Sequence, residues 1–166
     1  MRLFVAICFT EEIKNVLLET IKKLRGQTLS GNFTDPENLH LTLAFIGESN
    51  KTAAVCSAID ACELPPFTIT IDGLGNFGDL YWVGIEKNTN LSNLANDLQN
   101  NLRSKGFDIE KRAFKPHITV ARQVKAEKTV CLTVPSTTMT VSRISLMKSE
   151  RINGKLTYTE LYGRKL

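Results

Sequence analysis

The sequence predicts an α+β fold built from two related halves. Three observations predict it: apolar residues recur at helical spacing in three stretches, they alternate or run unbroken in several others, and one short His-apolar-Thr-apolar-Ala element occurs once in each half. With 166 residues the chain suits a single domain, residues 1–166, with two pseudo-symmetric lobes. Hydrophobic residues make up 42% and charged residues 23%, which excludes disordered and fibrous classes.

Leu3 to Phe9 reads as a mostly buried strand, an unbroken apolar run. Thr10, Glu11 and Glu12 then mark a helix start, because acids suit the positive end of the helix dipole. Ile13, Val16, Leu17, Ile21 and Leu24 give that helix one apolar face, and Gly26 stops it. Ser30 to Asn38 is polar and rich in turn formers, ending in Asp35-Pro36. Leu39 to Ile46 reads as a strand closed by Gly47, and Ser49 is a candidate cap for a helix from about Thr52 to Cys62, ended by Pro65-Pro66.

Phe67 to Ile71 alternates like a half-buried strand, Gly73, Gly75 and Gly78 punctuate a turn region, and Tyr81 to Glu86 forms a second strand. Leu91, Leu94, Leu98 and Leu102 make the apolar stripe of a third helix, which ends at Gly106. Strand patterns return at Ile109 to Ala113, His117 to Ala121 and Met139 to Glu150. Asn153-Gly154 predicts a two-residue hairpin turn between Ile144 to Arg151 and Lys155 to Tyr162, since both turn positions need positive φ. Several strands are therefore expected to be antiparallel.

No apolar run is long enough for a bilayer and the opening strand is too short for a signal peptide, so the expected location is the cytosol. Cys8, Cys56, Cys62 and Cys131 lack CxxC spacing and sit in apolar or helical patterns, as reduced core thiols would. The net charge of +4 is too mild to identify a nucleic-acid partner, but Lys111, Arg112, Lys115, Arg122 and Lys125 gather around His117. From charge alone a solvated strand edge is the better explanation of such a cluster.

The repeated element carries the chemistry. Side chains alternate along a strand, so in Leu39-His40-Leu41-Thr42-Leu43-Ala44 the residues His40 and Thr42 share one face, and His117 and Thr119 share one in Pro116-His117-Ile118-Thr119-Val120-Ala121. In-line displacement at phosphorus needs a base for the incoming oxygen and an acid for the departing one. Imidazole, with an ordinary pKa of about 6.5, serves as either near neutral pH. Threonine hydroxyls can donate to nonbridging oxygens, and Arg122 adds a fixed positive charge for the transition state.

A lone strand histidine is usually structural, and threonine is common in strands for its shape. The chain has only two histidines, however, and both carry the same sequel, which chance rarely supplies. Zinc would need three or four ligands at ligand spacing, and these are not seen. No GxSxG elbow or activated cysteine supports a covalent nucleophile. Gly73-Leu74-Gly75-Asn76-Phe77-Gly78 imitates a dinucleotide loop loosely, with its third glycine too early and a strand rather than a helix after it.

These paired motifs, together with Met1 to Ile7, Glu37 to Glu48, Phe114 to Arg122 and a closing hairpin holding Ser149, Gly154 and Tyr158, resemble the 2H phosphoesterase superfamily and its LigT-like RNA 2′,3′-cyclic phosphodiesterases. The resemblance covers nearly the whole chain. It implies a bilobal duplicated fold, two mainly antiparallel sheets flanked by helices around a central cleft, with neither metal nor other cofactor. The implied reaction hydrolyses an RNA 2′,3′-cyclic phosphate end, or a cyclic nucleotide, to a 2′-phosphate. His40 would protonate the leaving 3′ oxygen, His117 would activate water, and Thr42, Thr119 and Arg122 would hold the phosphate.

Reversible 2′-5′ ligation, 2′-5′ oligonucleotides and ADP-ribose 1″,2″-cyclic phosphate are alternative chemistries, and a non-catalytic RNA-end binding module is an alternative class. Phe33 stands where the resemblance leads one to expect a tryptophan, with an effect expected only on packing. Phe9, Phe45 and Tyr81 can stack on bases, but core packing is the expected role of each. No membrane or obligate protein partner is expected, and the chain should be a monomer.

Overall fold

The computed structural model describes residues 1–166. The chain runs β1 (Arg2–Ile7), α1 (Glu11–Gly26), β2 (Ser30–Phe33), a 3₁₀ turn (Pro36–Asn38), β3 (Leu41–Glu48), α2 (Thr52–Asp60) and β4 (Phe67–Phe77). It continues through β5 (Leu80–Ile85), α3 (Thr89–Ser104), β6 (His117–Lys125), β7 (Thr137–Val141), β8 (Arg143–Ile152) and β9 (Lys155–Lys165). The strands form two antiparallel sheets, ordered β3-β1-β8-β9 and β2-β6-β5-β4-β7.

The helices form where the apolar stripes require. Thr10 accepts from the Ile13 N–H at 3.5 Å to open α1, and Asn88 accepts from the Leu91 N–H at 2.9 Å to open α3. Ile13, Leu17, Ile21 and Leu24 are buried along α1, and Leu91, Leu94, Leu98 and Leu102 along α3. α1 packs against β2, β6 and β7, while α2 and α3 pack on one another and against the other sheet. The main core, 35 buried residues, draws on both sheets and all three helices, so each helix covers the apolar back of a sheet and leaves the opposite face free.

Several expectations change. Ser30 to Asn38 contains the edge strand β2, which pairs with β6 some 90 residues on and carries no apolar alternation of its own. Ile109 to Ala113 is not a strand: Ile109 is a single buried anchor, and Glu110, Lys111 and Arg112 are exposed. Met139 to Glu150 divides at Ser142, with β7 joining one sheet and β8 the other. The glycine region continues β4 to Phe77, where Gly75 faces Trp82 so closely that a Cβ would lie 2.3 Å from the indole ring.

α2 ends at Asp60, before the prolines, and Lys51 rather than Ser49 occupies its cap position; Ser49 Oγ instead accepts from the Lys51 N–H at 3.1 Å. The hairpin turn is as expected, with Asn153 at φ 51° and Gly154 at φ 77°. All four cysteines are free, but only Cys62 is buried, and Cys8 and Cys131 are exposed.

Candidate active site

The two His-x-Thr elements lie on one strand of each sheet and fold alike. His40, Leu41, Thr42, Leu43, Ala44 and Phe45 are in turn half-buried, buried, half-buried, buried, buried and exposed; His117, Ile118, Thr119, Val120, Ala121 and Arg122 repeat that order. Strict alternation would not bury two consecutive residues and expose the next. Each strand carries a register shift at the same place: β3 spends one extra residue, Leu43, between its partners to Val5 and Ala6, and β6 spends Val120 between its partners to Tyr81 and Trp82. A bulge reverses which face the following residues occupy. Arg122, an odd number of residues beyond Thr119, is thereby brought to Thr119's side of the sheet.

The carbonyls freed by the irregularities are held from outside the ladder. Gln99 Nε2 on α3 donates to Leu43 O at 2.9 Å; Thr34 Oγ1 donates to Thr119 O at 3.0 Å, and the Thr34 N–H to Val120 O at 2.9 Å.

Both imidazoles are oriented by the backbone two residues earlier. His40 Nδ1 donates to Asn38 O at 2.7 Å, and His117 Nδ1 donates to Lys115 O at 2.8 Å. A carbonyl only accepts, so each Nδ1 carries the proton and each Nε2 is the nitrogen free to exchange one. The Asn38 side chain, itself buried, donates to Leu156 O at 3.0 Å and ties this carbonyl to β9. His40 Nε2 lies 2.9 Å from Thr42 Oγ1, which donates to the neutral ring.

The His40 ring packs on Phe4, with centroids 4.9 Å apart, and meets Tyr158 edge-on at 5.2 Å. Burial pushes its pKa down, the Asn38 carbonyl opposes this, and the charges of Arg122 and His117 reinforce it. Burial pushes the Tyr158 phenol up. His117 is flanked by Phe77 at 5.7 Å and Trp82 at 6.5 Å.

All five residues expected from the sequence, His40, Thr42, His117, Thr119 and Arg122, line one cleft of about 1050 Å³ between the sheets. Of the cations grouped around His117 in sequence, only Arg122 lines it; Arg112 pairs with Glu110, and Lys115 contributes its backbone. Sequence reasoning missed Arg2, Arg151 and Lys155, which reach the cleft from the first sheet and its hairpin. Lys155 is tied to Glu37 at 2.8 Å. Phe33 packs against the core, lines the cleft and has Arg25 over its ring at 4.3 Å. Phe9 and Tyr81 pack with the core as expected, but Phe45 does not: it is 51% exposed in the cleft wall.

No three His, Cys, Asp or Glu side chains come together as a metal site would need. No helix is long and apolar enough to cross a membrane.

The model of the 2′-5′ RNA ligase superfamily matches residues 13–153. The RNA 2′,3′-cyclic phosphodiesterase of Thermotoga maritima is 35% identical over 131 residues, covering 74% of this chain and 70% of that protein. The RNA 2′,3′-cyclic phosphodiesterase of Escherichia coli is 30% identical over 165 residues, covering 96% of this chain and 93% of that protein. The crystal structure of E. coli LigT complexed with 3′-AMP superposes with a TM-score of 0.87 at 29% identity, covering 99% of this chain and 97% of that one.

Proposed function

The chain belongs to the 2′-5′ RNA ligase superfamily, and from that premise we propose that it is a phosphodiesterase that opens RNA 2′,3′-cyclic phosphate ends to 2′-phosphates. The observation that carries the reading is the meeting of both His-x-Thr pairs and Arg122 in one cleft, each imidazole anchored through Nδ1 so that Nε2 is the nitrogen that exchanges a proton.

A water oxygen attacks phosphorus and gives its proton to His117 Nε2, while the bond from phosphorus to the 3′ oxygen breaks and His40 Nε2–H protonates that oxygen. The products are a 2′-phosphate monoester and a free 3′-hydroxyl, and proton exchange with solvent restores both rings. Thr42, Thr119 and Arg122 hold the phosphoryl oxygens as negative charge builds on them. In the free protein His40 is held toward its neutral form, so a role as acid requires the proton to arrive with the substrate. The anionic cyclic phosphate supplies the opposite charge that favours imidazolium. On this reading the donors are all protein groups, and the enzyme works without a metal, as a cytosolic monomer.

The test is incubation with a 2′,3′-cyclic nucleotide and a short RNA bearing that end, in excess EDTA, with 2′- and 3′-phosphate products resolved. Turnover to 2′-phosphate is expected, with loss of at least about a hundredfold in folded His40→Ala and His117→Ala variants. Activity lost in EDTA and restored by zinc would overturn the metal-free reading, and comparable activity in either variant would overturn the two-histidine mechanism.

A further inference from the structure

The basic side chains that line the cleft are not held alike. Arg151 donates to Gly154 O at 3.1 Å, Lys155 pairs with Glu37, and Arg2 lies over the Phe45 ring at 5.1 Å. Arg122 enters none of the protein's ion pairs. The direction of its guanidinium is therefore set by the backbone that carries it.

That backbone is irregular on both sides of Arg122. The extra residue at Val120 brings Arg122 to the cleft. Toward β2, Asn32 pairs with Arg122 and Ser30 with Lys125, so two steps on β2 span three on β6. The added residue is Gln123, whose φ of 54° lies in the left-handed region, the place that a G1 bulge ordinarily gives to glycine. Its consequence shows at Val124, which is buried in the core although simple alternation would put it on the same face as Arg122. Without this second bulge, either Arg122 or Val124 would face the wrong way. A bulge can serve only to end pairing, but here the ladder resumes at Lys125. The irregularity is fastened from both neighbours: Asn32 Nδ2 donates to Gln123 Oε1 at 3.1 Å, and the Val124 N–H donates to Asp79 O at 3.1 Å in the turn before β5. Asn32 itself lines the cleft.

Resting on the hydrolase reading above, we propose that Gln123 and Asn32 are positioning residues for Arg122: the left-handed turn at Gln123 directs the guanidinium to the phosphate, and the Asn32 amide holds Gln123 in that turn. A side chain with a Cβ leaves the left-handed region readily, because Cβ crowds the following carbonyl oxygen there, and the clamp from Asn32 opposes this. Gln123 acts on the reaction only through Arg122.

The experiment places Gln123→Val, Gln123→Gly and Asn32→Ala in the wild-type and Arg122→Met backgrounds. Two quantities are read: the NMR titration midpoint of the His40 ring, which the Arg122 charge holds down, and kcat/KM on a 2′,3′-cyclic nucleotide. A β-branched residue resists positive φ, so Gln123→Val is expected to raise the midpoint by at least about half as much as Arg122→Met does, and to lower kcat/KM about tenfold. Gln123→Gly takes positive φ freely and should recover both, while Asn32→Ala should fall between. In the Arg122→Met background Gln123→Val should change neither quantity further, since its whole effect passes through Arg122. Equal losses of kcat/KM in the two backgrounds, or a midpoint unmoved by Gln123→Val, would overturn the positioning role while leaving the hydrolase reading intact. A midpoint unmoved by Arg122→Met would overturn it as well, because Arg122 would then not bear on the site. Should Gln123→Val fail to fold, Gln123→Ala carries the same comparison, as it loses the clamp and disfavours positive φ. If the wild type turned over no cyclic phosphate, the hydrolase reading would fail, and the His40 midpoints would still decide the positioning.

Discussion

The proton of His40 is subject to opposing influences, some from its own stretch of chain and some from the other sheet. Burial and the charges of Arg122 and His117 favour the neutral ring, and the Asn38 carbonyl favours the charged one. Burial dominates, so the folded-state pKa lies below the unfolded value of about 6.5. An NMR titration of the His40 ring should give a midpoint below that of a free imidazole, and Arg122→Met should move it upward. An unchanged midpoint in that variant would separate Arg122 from the site electrostatically. The sign for stability follows: below about pH 6.5 the unfolded chain takes up the proton more readily, so His40 lowers native stability as pH falls through that value, and the loss levels off below the folded-state pKa. His40→Gln should flatten this part of a denaturation profile measured against pH.

At the scale of elements, the bulges in β3 and β6 do what regular strands cannot. They keep Leu41, Leu43 and Ala44, and likewise Ile118, Val120 and Ala121, in the core, and still return the next side chain to the cleft. The Gln99 amide on α3 satisfies the Leu43 carbonyl at the first bulge. Gln99→Leu leaves that acceptor without its partner, and the expected cost is about 1–3 kcal/mol. Thermal unfolding should show a Tm lowered by several degrees, since about 1 kcal/mol shifts a protein of this size by roughly 2–4 °C. Because the bulge sets the directions of Thr42 and Phe45, the same variant should lose more kcat/KM on a cyclic nucleotide than Gln27→Leu, a change remote from the cleft. Equal effects would detach Gln99 from the site.

Over the whole molecule, the core is shared between lobes. Leu3, Val5 and Ile7 of one sheet belong to the same buried cluster as Ile69, Ile118 and Val120 of the other, with helices α1 and α3 joining them. The two lobes are therefore expected to unfold together, in one transition whose calorimetric and van't Hoff enthalpies agree. Two resolved transitions would show independent lobes. A common core also holds the two histidine strands across the cleft from one another, as the proposed acid and base on opposite sides of phosphorus would require.

The α+β class, the helices, the Asn153-Gly154 hairpin and the five residues His40, Thr42, His117, Thr119 and Arg122 were legible in the sequence, because periodicity, capping and turn chemistry are local and the repeated motif is short. The face on which Arg122 lies was not, since simple alternation from Thr119 points it the wrong way and only pairing with β5 reveals the extra residue. Phe45 was misread as core for the same reason. β2 was missed because a polar edge strand takes its structure from a distant partner, and β7 and β8 were merged because one apolar pattern does not say which sheet each part joins. Residue types and spacing thus determined the chemistry the chain can offer. Long-range strand pairing decided where it is assembled, because register and bulges arise from contacts between segments far apart in the chain.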